Sequence, residues 1–235
     1  MSAVPARGRV AIVDYGLGNL FSVKHACAHA GLDAVITDDA RVIAAADAVI
    51  LPGVGAYADA MASLVSRDLV GPLRDAAASG RRLLGICLGM QLFMGESEEF
   101  GLHRGLGLIP GRVIRFQEPM GEFGPAGDRV RRPLKVPQIG WNRIASRADG
   151  WAETLLDGVE PRSHMYFLHS YHCVPDDPQV TVASADYGGI EFCAALRSNT
   201  IFACQFHPER SGPAGLRVYR NLARVIQRPE TGTSP

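Results

Sequence analysis

The stretch Arg82–Met94, RLLGICLGMQLFM, is an apolar run that breaks at Gly85-Ile86-Cys87-Leu88-Gly89 and resumes as the apolar segment Met90–Met94. The pattern predicts a buried strand, a sharp turn and a helix, with a thiol at the turn. Glycines two before and two after Cys87 let backbone crowd a bend that a Cβ would obstruct. The serine of a nucleophile elbow occupies the same kind of turn. A thiol there points out of the end of a sheet, and a helix N-terminus behind it favours the thiolate. Cys87 is therefore the candidate nucleophile.

Upstream of that turn the same pattern repeats. Val10–Val13 reads as a buried strand ending in the glycine-rich turn Asp14–Asn19, and Asn19 caps a helix closed by Gly31. Ala34–Ile36 reads as a second strand, followed by a short helix started by Asp38 or Asp39. Ala48–Leu51 reads as a third strand, running into Pro52-Gly53-Val54-Gly55. Tyr57–Val65 and Leu69–Ser79 are helical in pattern, and Arg82–Ile86 is the fourth strand. Strands alternating with helices imply an α/β fold with a central, mostly parallel sheet covered on both faces. Ligands of such sheets sit outside the carboxyl ends of the strands. The three glycine-bearing turns, after Val13, Leu51 and Ile86, are expected to converge there.

After Gly95 the pattern changes. Val113–Phe116, Gln138–Ile144, Tyr166–Val174, Val180–Ala185 and Ile201–Phe206 read as strands with few helices between, so mixed or antiparallel strands are expected in the C-terminal half. Phe116–Lys135, rich in Gly, Pro and charge, reads as a surface loop, and Ala214–Ile226 as a closing amphipathic helix. The expected organisation is an N-terminal extension over 1–8, one domain over 9–227 and a flexible tail over 228–235.

With 235 residues, 47% of them hydrophobic, the chain can bury a generous core. Its 24 basic and 24 acidic residues cancel, which argues against nucleic-acid or membrane-surface partners. Five cysteines without a C-x-x-C spacing argue against a metal site, and no cofactor motif stands out. The N-terminus lacks the apolar core of a signal peptide, and no apolar run is long enough to span a membrane. A cytoplasmic location with free thiols is the expectation.

A thiol nucleophile needs a base, and the base needs an acceptor that fixes its tautomer. Ile201–Phe206 ends in His207-Pro208-Glu209, where Pro208 stiffens the turn between an imidazole and a carboxylate. His169 and His172 also follow an apolar strand; the carboxylate two residues on favours His207.

Together, GICLG over Gly85–Gly89, Gln91 and His207-Pro208-Glu209 resemble the class I (triad) glutamine amidotransferases. Finer matches are DYGLGN over Asp14–Asn19, PGVG over Pro52–Gly55, ESEE over Glu96–Glu99, GWN over Gly140–Asn142, YFLHSY over Tyr166–Tyr171 and QFHPE over Gln205–Glu209. These are similar to the glutaminase subunits of imidazole glycerol phosphate synthase, of histidine biosynthesis. The resemblance covers about residues 8–227 and implies a flavodoxin-like fold. It implies that Cys87 attacks the side-chain amide of glutamine, that His207 shuttles the proton and that Glu209 orients His207. Leu88 N–H, with a peptide N–H from Gly53-Val54-Gly55, would hold the oxyanion, the second after a peptide flip. Gln91 and Glu99, with Ser170 and Tyr171, would hold the substrate. Ammonia would pass to a separate (β/α)₈-barrel cyclase in a heterodimer, which makes imidazole glycerol phosphate and aminoimidazole carboxamide ribonucleotide. Asp14, Asn19, Pro137, Trp141, Asn142 and Tyr166 would face that partner. Gln138 and Arg210 depart from the residues frequent in the family, His and Lys. A rival is a triad glutaminase serving another amidating synthase. Others are a thiol hydrolase acting on esters and a regulatory subunit without activity.

Overall fold

The computed structural model describes residues 8–117, 122–123, 129–130, 134–146 and 150–227. The chain begins β1 (Arg9–Val13), α1 (Leu20–His29), β2 (Asp33–Thr37), α2 (Ala40–Ala45), β3 (Ala48–Gly53), α3 (Tyr57–Ser66), α4 (Val70–Ala78) and β4 (Arg82–Cys87). It continues with α5 (Leu88–Leu92), β5 (Met94–Ser97), β6 (His103–Arg104), β7 (Ile109–Arg115), β8 (Glu122–Phe123), β9 (Arg129–Val130), β10 (Gln138–Arg143) and β11 (Ala145–Ser146). It closes with β12 (His164–His169), β13 (Tyr171–Pro175), β14 (Thr181–Tyr187), β15 (Ile190–Ser198), β16 (Ile201–Cys204) and α6 (Gly212–Gln227).

An eight-stranded sheet in the order β11-β14-β15-β16-β4-β3-β1-β2 organises the fold. From β2 through β16 the neighbours run parallel, and β15, β14 and β11 continue the sheet antiparallel. Side chains alternate faces along each parallel strand, yet in β1, β3, β4 and β16 both faces are buried. Val10, Ile12, Ile50, Leu84 and Ile86 pack under α1 and α6 with Val23, Cys27, Val218 and Leu222. Ala11, Val13, Val49, Leu51 and Leu83 pack on the other face with Tyr57 and Leu64 of α3 and Leu73 of α4. That double burial is why these strands read as unbroken apolar runs. As expected, Asn19 caps α1, accepting from Ser22 N at 3.4 Å. Asp39 is the acidic residue that starts α2.

Three expectations need correction. The segment after Cys87 is a single short helix that ends at Leu92, and Met94 opens a strand. An apolar run of this length does not distinguish helix from strand by period. The pairing of Glu96 with Arg104 and Arg112 decides for the strand. Tyr166–Val174 is two strands, broken at Ser170. β12 pairs with β10, whereas β13 joins a separate sheet of order β13-β7-β5-β6. The break lets Ser170 O accept from Phe116 N at 3.1 Å. β15, at the heart of the large sheet, was missed, although the Gly188-Gly189 turn before it is a hairpin signal. Within the expected loop Phe116–Lys135, Phe116 is buried, and β8 pairs antiparallel with β9. Residues 118–121, 124–128 and 131–133 of that stretch lie outside the described residues. So do 1–7 of the expected extension and the expected tail 228–235. Gly8 is buried, and its carbonyl accepts from Asp33 N at 3.0 Å.

The glycines around Cys87 serve close approach. A Cβ on Gly85 would lie 2.7 Å from the Phe93 ring, and one on Gly89 would overlap the Leu51 carbonyl oxygen. Gly89→Ala should therefore cost at least the ~1–3 kcal/mol of an overfilled core. A chemical denaturation midpoint equal to that of the unmodified chain would contradict this.

Candidate active site

The parallel strands end along one edge, and the register sets the site. Gly53 of β3 pairs with Cys87 of β4, and Ile86 pairs with Cys204 of β16. The chain leaving β16 through Gln205 and Phe206 to His207 therefore emerges beside the thiol. The glycine turns converge as expected. Tyr15 OH donates to Pro52 O at 2.8 Å, joining the turn after β1 to the turn after β3.

Cys87 has φ 54° and ψ −109°, a conformation that L-residues avoid. Strand β4 and helix α5 over-determine it, and it turns the thiol out of the sheet's end. Because α5 has a single turn, the expected help from its dipole is small. Sγ lies 3.7 Å from Leu168 O and accepts from Gln205 Nε2 at 3.5 Å.

His207 and Glu209 are fixed by the single turn Pro208–Arg210. Glu209 Oε1 is 2.9 Å from His207 Nδ1, and both side chains are almost wholly enclosed. The His207 main chain is clamped. Its N–H donates to Tyr166 O at 2.9 Å, and its carbonyl accepts from Ser211 Oγ at 2.7 Å. His207 Nε2 has no well-aligned hydrogen bond, but Cys87 acts on it through charge and through a side-chain contact. Loose geometry of this kind is common in the absence of substrate. Burial alone would lower the His207 pKa. The charge and contact of Cys87, with Glu209, outweigh burial and raise it to about 10. His169 is different: burial lowers it to about 3, and its Nδ1 is 2.8 Å from Tyr171 O. Burial also lowers His172, whose ring lies 4.8 Å from that of Phe116.

The raised His207 value lies above the ordinary ~6.5 of an unfolded histidine. Its protonated form therefore stabilises the fold fully below pH ~6.5, and that contribution fades as pH climbs toward about 10. An NMR titration of the ring should show no midpoint near neutrality. In Cys87→Ala the midpoint should move down, because the sulfur's charge is the largest of the raising influences. A midpoint near 6.5 in both proteins would contradict this electrostatic picture.

A cavity of about 200 Å³ opens beside the thiol, lined by Val54, Gly55, Leu88, Gln91, Glu99, Ser170 and Tyr171 among others. Of the residues expected to bind substrate, only Gly53 is outside this lining. It is buried in β3, where a Cβ would collide with Tyr15 Oη. Gly53 is thus required by close approach. Gly55, at φ 109° with open space around its Cα, is the free side of that turn. Glu99 Oε2 accepts from Tyr57 N at 2.6 Å, capping α3, whose own cap residue, Ala56, supplies no side-chain hydrogen bond. Gln91 spends Nε2 on Tyr171 O at 2.9 Å and Gln205 Oε1 at 3.0 Å. The Tyr171 ring packs edge-on against Phe100.

Beyond the cavity, Trp141 and Ile139 stand exposed on β10, 56% and 57% accessible. The Trp141 ring meets Tyr166 edge-on at 6.0 Å, and Arg210 lies 4.3 Å from the centre of the Tyr166 ring. Tyr166 in turn is 6.3 Å from the His207 ring. Of the other residues expected to face a partner, Asn142 donates to Asp186 O, Asn19 caps α1 and Pro137 lines the cavity. Sequence reasoning gave no role to Gln205 or Ser211; Gln205 carried one signal, a polar residue between Cys204 and Phe206 at the end of β16.

A family model of class-I glutamine amidotransferases matches residues 11–225. The chain belongs to the class-I glutamine amidotransferases. It is 46% identical over 91% of its length to imidazole glycerol phosphate synthase subunit HisH of Syntrophotalea carbinolica, covering 98% of that protein. It is 47% identical over 92% of its length to the HisH subunit of Methylococcus capsulatus, covering 95% of that protein. Within the class it is a HisH-like glutamine amidotransferase, an enzyme with glutaminase activity. Among solved structures, PurLQS from Thermotoga maritima aligns with a TM-score of 0.69 at 20% identity, over 94% of this chain and 100% of that one. The glutaminase domain of Trypanosoma brucei CTPS, with bound acivicin, aligns with a TM-score of 0.61 at 14% identity, over 94% and 93%. At such identities the likeness speaks for the α/β fold alone. Among the described residues, no helix is long and apolar enough to cross a membrane.

Proposed function

We propose that this chain is the glutaminase subunit of an imidazole glycerol phosphate synthase, and that Cys87, His207 and Glu209 are its catalytic residues. The observation that carries the reading is the strained thiol at the end of β4, lying in one cavity wall next to an imidazole held by a buried carboxylate. The Cys87 thiolate attacks Cδ of the glutamine side chain. The C–N bond breaks as His207 gives its proton to the departing ammonia. Water, deprotonated by His207, then cleaves the γ-glutamyl thioester to glutamate and restores the thiol. Glu209 holds the imidazole at Nδ1 and stabilises its protonated form. Leu88 N–H and a donor from the Val54–Gly55 turn hold the oxyanion. Glu99 takes the substrate ammonium, and Ser170 and Tyr171 take its carboxylate. No metal or cofactor enters these steps.

The ammonia goes to a second polypeptide, a (β/α)₈-barrel cyclase, which makes imidazole glycerol phosphate and aminoimidazole carboxamide ribonucleotide. The exposed Trp141 and Ile139, backed by Tyr166 and Arg210, suit a face that docks this partner and feels its arrival near His207. Five buried cysteines, none of them in a disulfide among the described residues, fit a reducing cytoplasm. Among the described residues, neither Val54 nor Gly55 N–H is tied by a backbone hydrogen bond, so the turn is free to choose between two peptide orientations. Partner and nucleotide would bias that choice. Glutamate release should therefore be slow for the chain alone and rise by about 10²–10³, the worth of one oxyanion donor, with cyclase and its nucleotide substrate. Equal rates in both conditions would overturn the switching, and no glutaminase activity with the cyclase would overturn the assignment.

A further inference from the structure

We infer that Gln205 is a positioning residue for the nucleophile, its side-chain amide donating to Cys87 Sγ at the end of a one-way chain of hydrogen bonds. The inference rests on Cys87 being the nucleophile. The chain starts at the Tyr171 carbonyl, which can only accept. It takes Gln91 Nε2 at 2.9 Å and stands 2.8 Å from His169 Nδ1. That contact compels Gln91 to present its NH₂ end. The second Gln91 proton goes to Gln205 Oε1 at 3.0 Å. Gln205 is thereby compelled to turn its own NH₂ toward the sulfur, 3.5 Å away. The amide orientations follow from a carbonyl that has no proton to give.

Burial gives this chain its force. Gln205 has no exposure at all and Gln91 is 5% exposed, so no water competes for their protons. The Gln205 main chain is fixed too, its N–H donating to Ala194 O at 2.9 Å. The amide is a neutral donor held on the side of the sulfur away from solvent, and it strengthens when the sulfur is charged. His207 is the titrating partner that balances that charge. The other titratable groups acting with the sulfur, Tyr15, Cys173 and Cys204, are all pushed upward, chiefly by burial, and stay neutral. Gln205 thus aims the sulfur and favours its charged form without moving a proton. Because Gln91 also lines the glutamine cavity, a ligand there and the sulfur share one hydrogen-bonded element.

The test is Gln205→Met, which keeps the length and removes the amide, in the complex with the cyclase. The readouts are kcat and KM for glutamine and the pH dependence of Cys87 alkylation by iodoacetamide. A hydrogen bond to a charged group predicts about a tenfold to hundredfold loss in kcat, with KM within about twofold. Alkylation near neutrality should slow, and its rise should shift to higher pH. A kcat within about threefold and an unshifted alkylation profile would overturn the inference. If Gln205→Met does not fold, Gln205→Glu keeps the shape and replaces the donor with a carboxylate. It should shift alkylation in the same direction, and an unshifted profile there overturns the inference as well. Cys87→Ser is measured in parallel. If it still releases glutamate, the nucleophile assignment fails; if it is dead while Gln205→Met is unaffected, only the role of Gln205 fails.

Discussion

Cys87→Ala is expected to abolish glutamine-dependent synthesis in the reconstituted complex and to spare synthesis from added ammonium. The thiol lies where the strained end of β4, the cavity and the His207–Glu209 pair come together. Without sulfur no thioester can form. The remaining donors around the cavity cannot activate water at a carboxamide, because His207 would have no nucleophile positioned against the substrate. A cyclase partner of the proposed kind would take ammonia from solution, so ammonium-dependent activity would report an intact partner. The alanine fills less space than the thiol and sits in the same backbone, so binding to the cyclase should persist. The paired assay with glutamine and with ammonium checks both halves. Appreciable glutamine hydrolysis by Cys87→Ala would show another nucleophile at work.

His207→Asn is expected to lower glutaminase turnover by at least ~10²–10⁴, the range of lost acid–base catalysis. In the proposed mechanism Nε2 takes the proton from sulfur and returns it to ammonia, and among the described residues lining the site the nearby histidines are poor substitutes. His169 cannot substitute, because burial holds it neutral and its Nδ1 is engaged by the Tyr171 carbonyl. His172 is locked among aromatic rings against Phe116 and Phe192. Glu209→Gln should cost less than His207→Asn, since Glu209, 2.9 Å from His207 Nδ1, is proposed to orient the ring without transferring a proton. Steady-state glutamate release by the three proteins, each with cyclase and nucleotide, orders them. A larger loss in His172→Asn than in His207→Asn would overturn the choice of base.

The centre of the parallel half was legible because β1, β3 and β4 are buried on both faces and run into glycine-bearing turns. Val10–Val13, Ala48–Leu51 and Arg82–Ile86 announce themselves by composition alone, and their turns do meet at one edge. The antiparallel half was harder. A single apolar run, Tyr166–Val174, carries no mark of its change of partner at Ser170, because that change is decided by β10 and β7, distant in sequence. The short strand after α5 is likewise set by pairing and not by propensity. In the candidate site, Cys87 and the His207-Pro208-Glu209 turn were readable from residue type and spacing. The need for a glycine at 53 was not legible, since it arises from Tyr15, almost forty positions earlier. The orientation of Gln205 was not legible for a similar reason. Its donor end is dictated by the Tyr171 carbonyl through Gln91, a relation that exists only once three separate segments have folded together.

Glutamine is expected to be cleaved through a covalent bond to Cys87. The most direct test is to mix the complex with isotopically labelled glutamine, quench in acid within the first turnovers and map the label by peptide mass spectrometry. The account predicts a labelled γ-glutamyl group on the peptide containing Cys87, sensitive to hydroxylamine and missing in Cys87→Ala. Label on any other cysteine, or glutamate formed steadily with no label on the protein under conditions that trap thioesters, would contradict it.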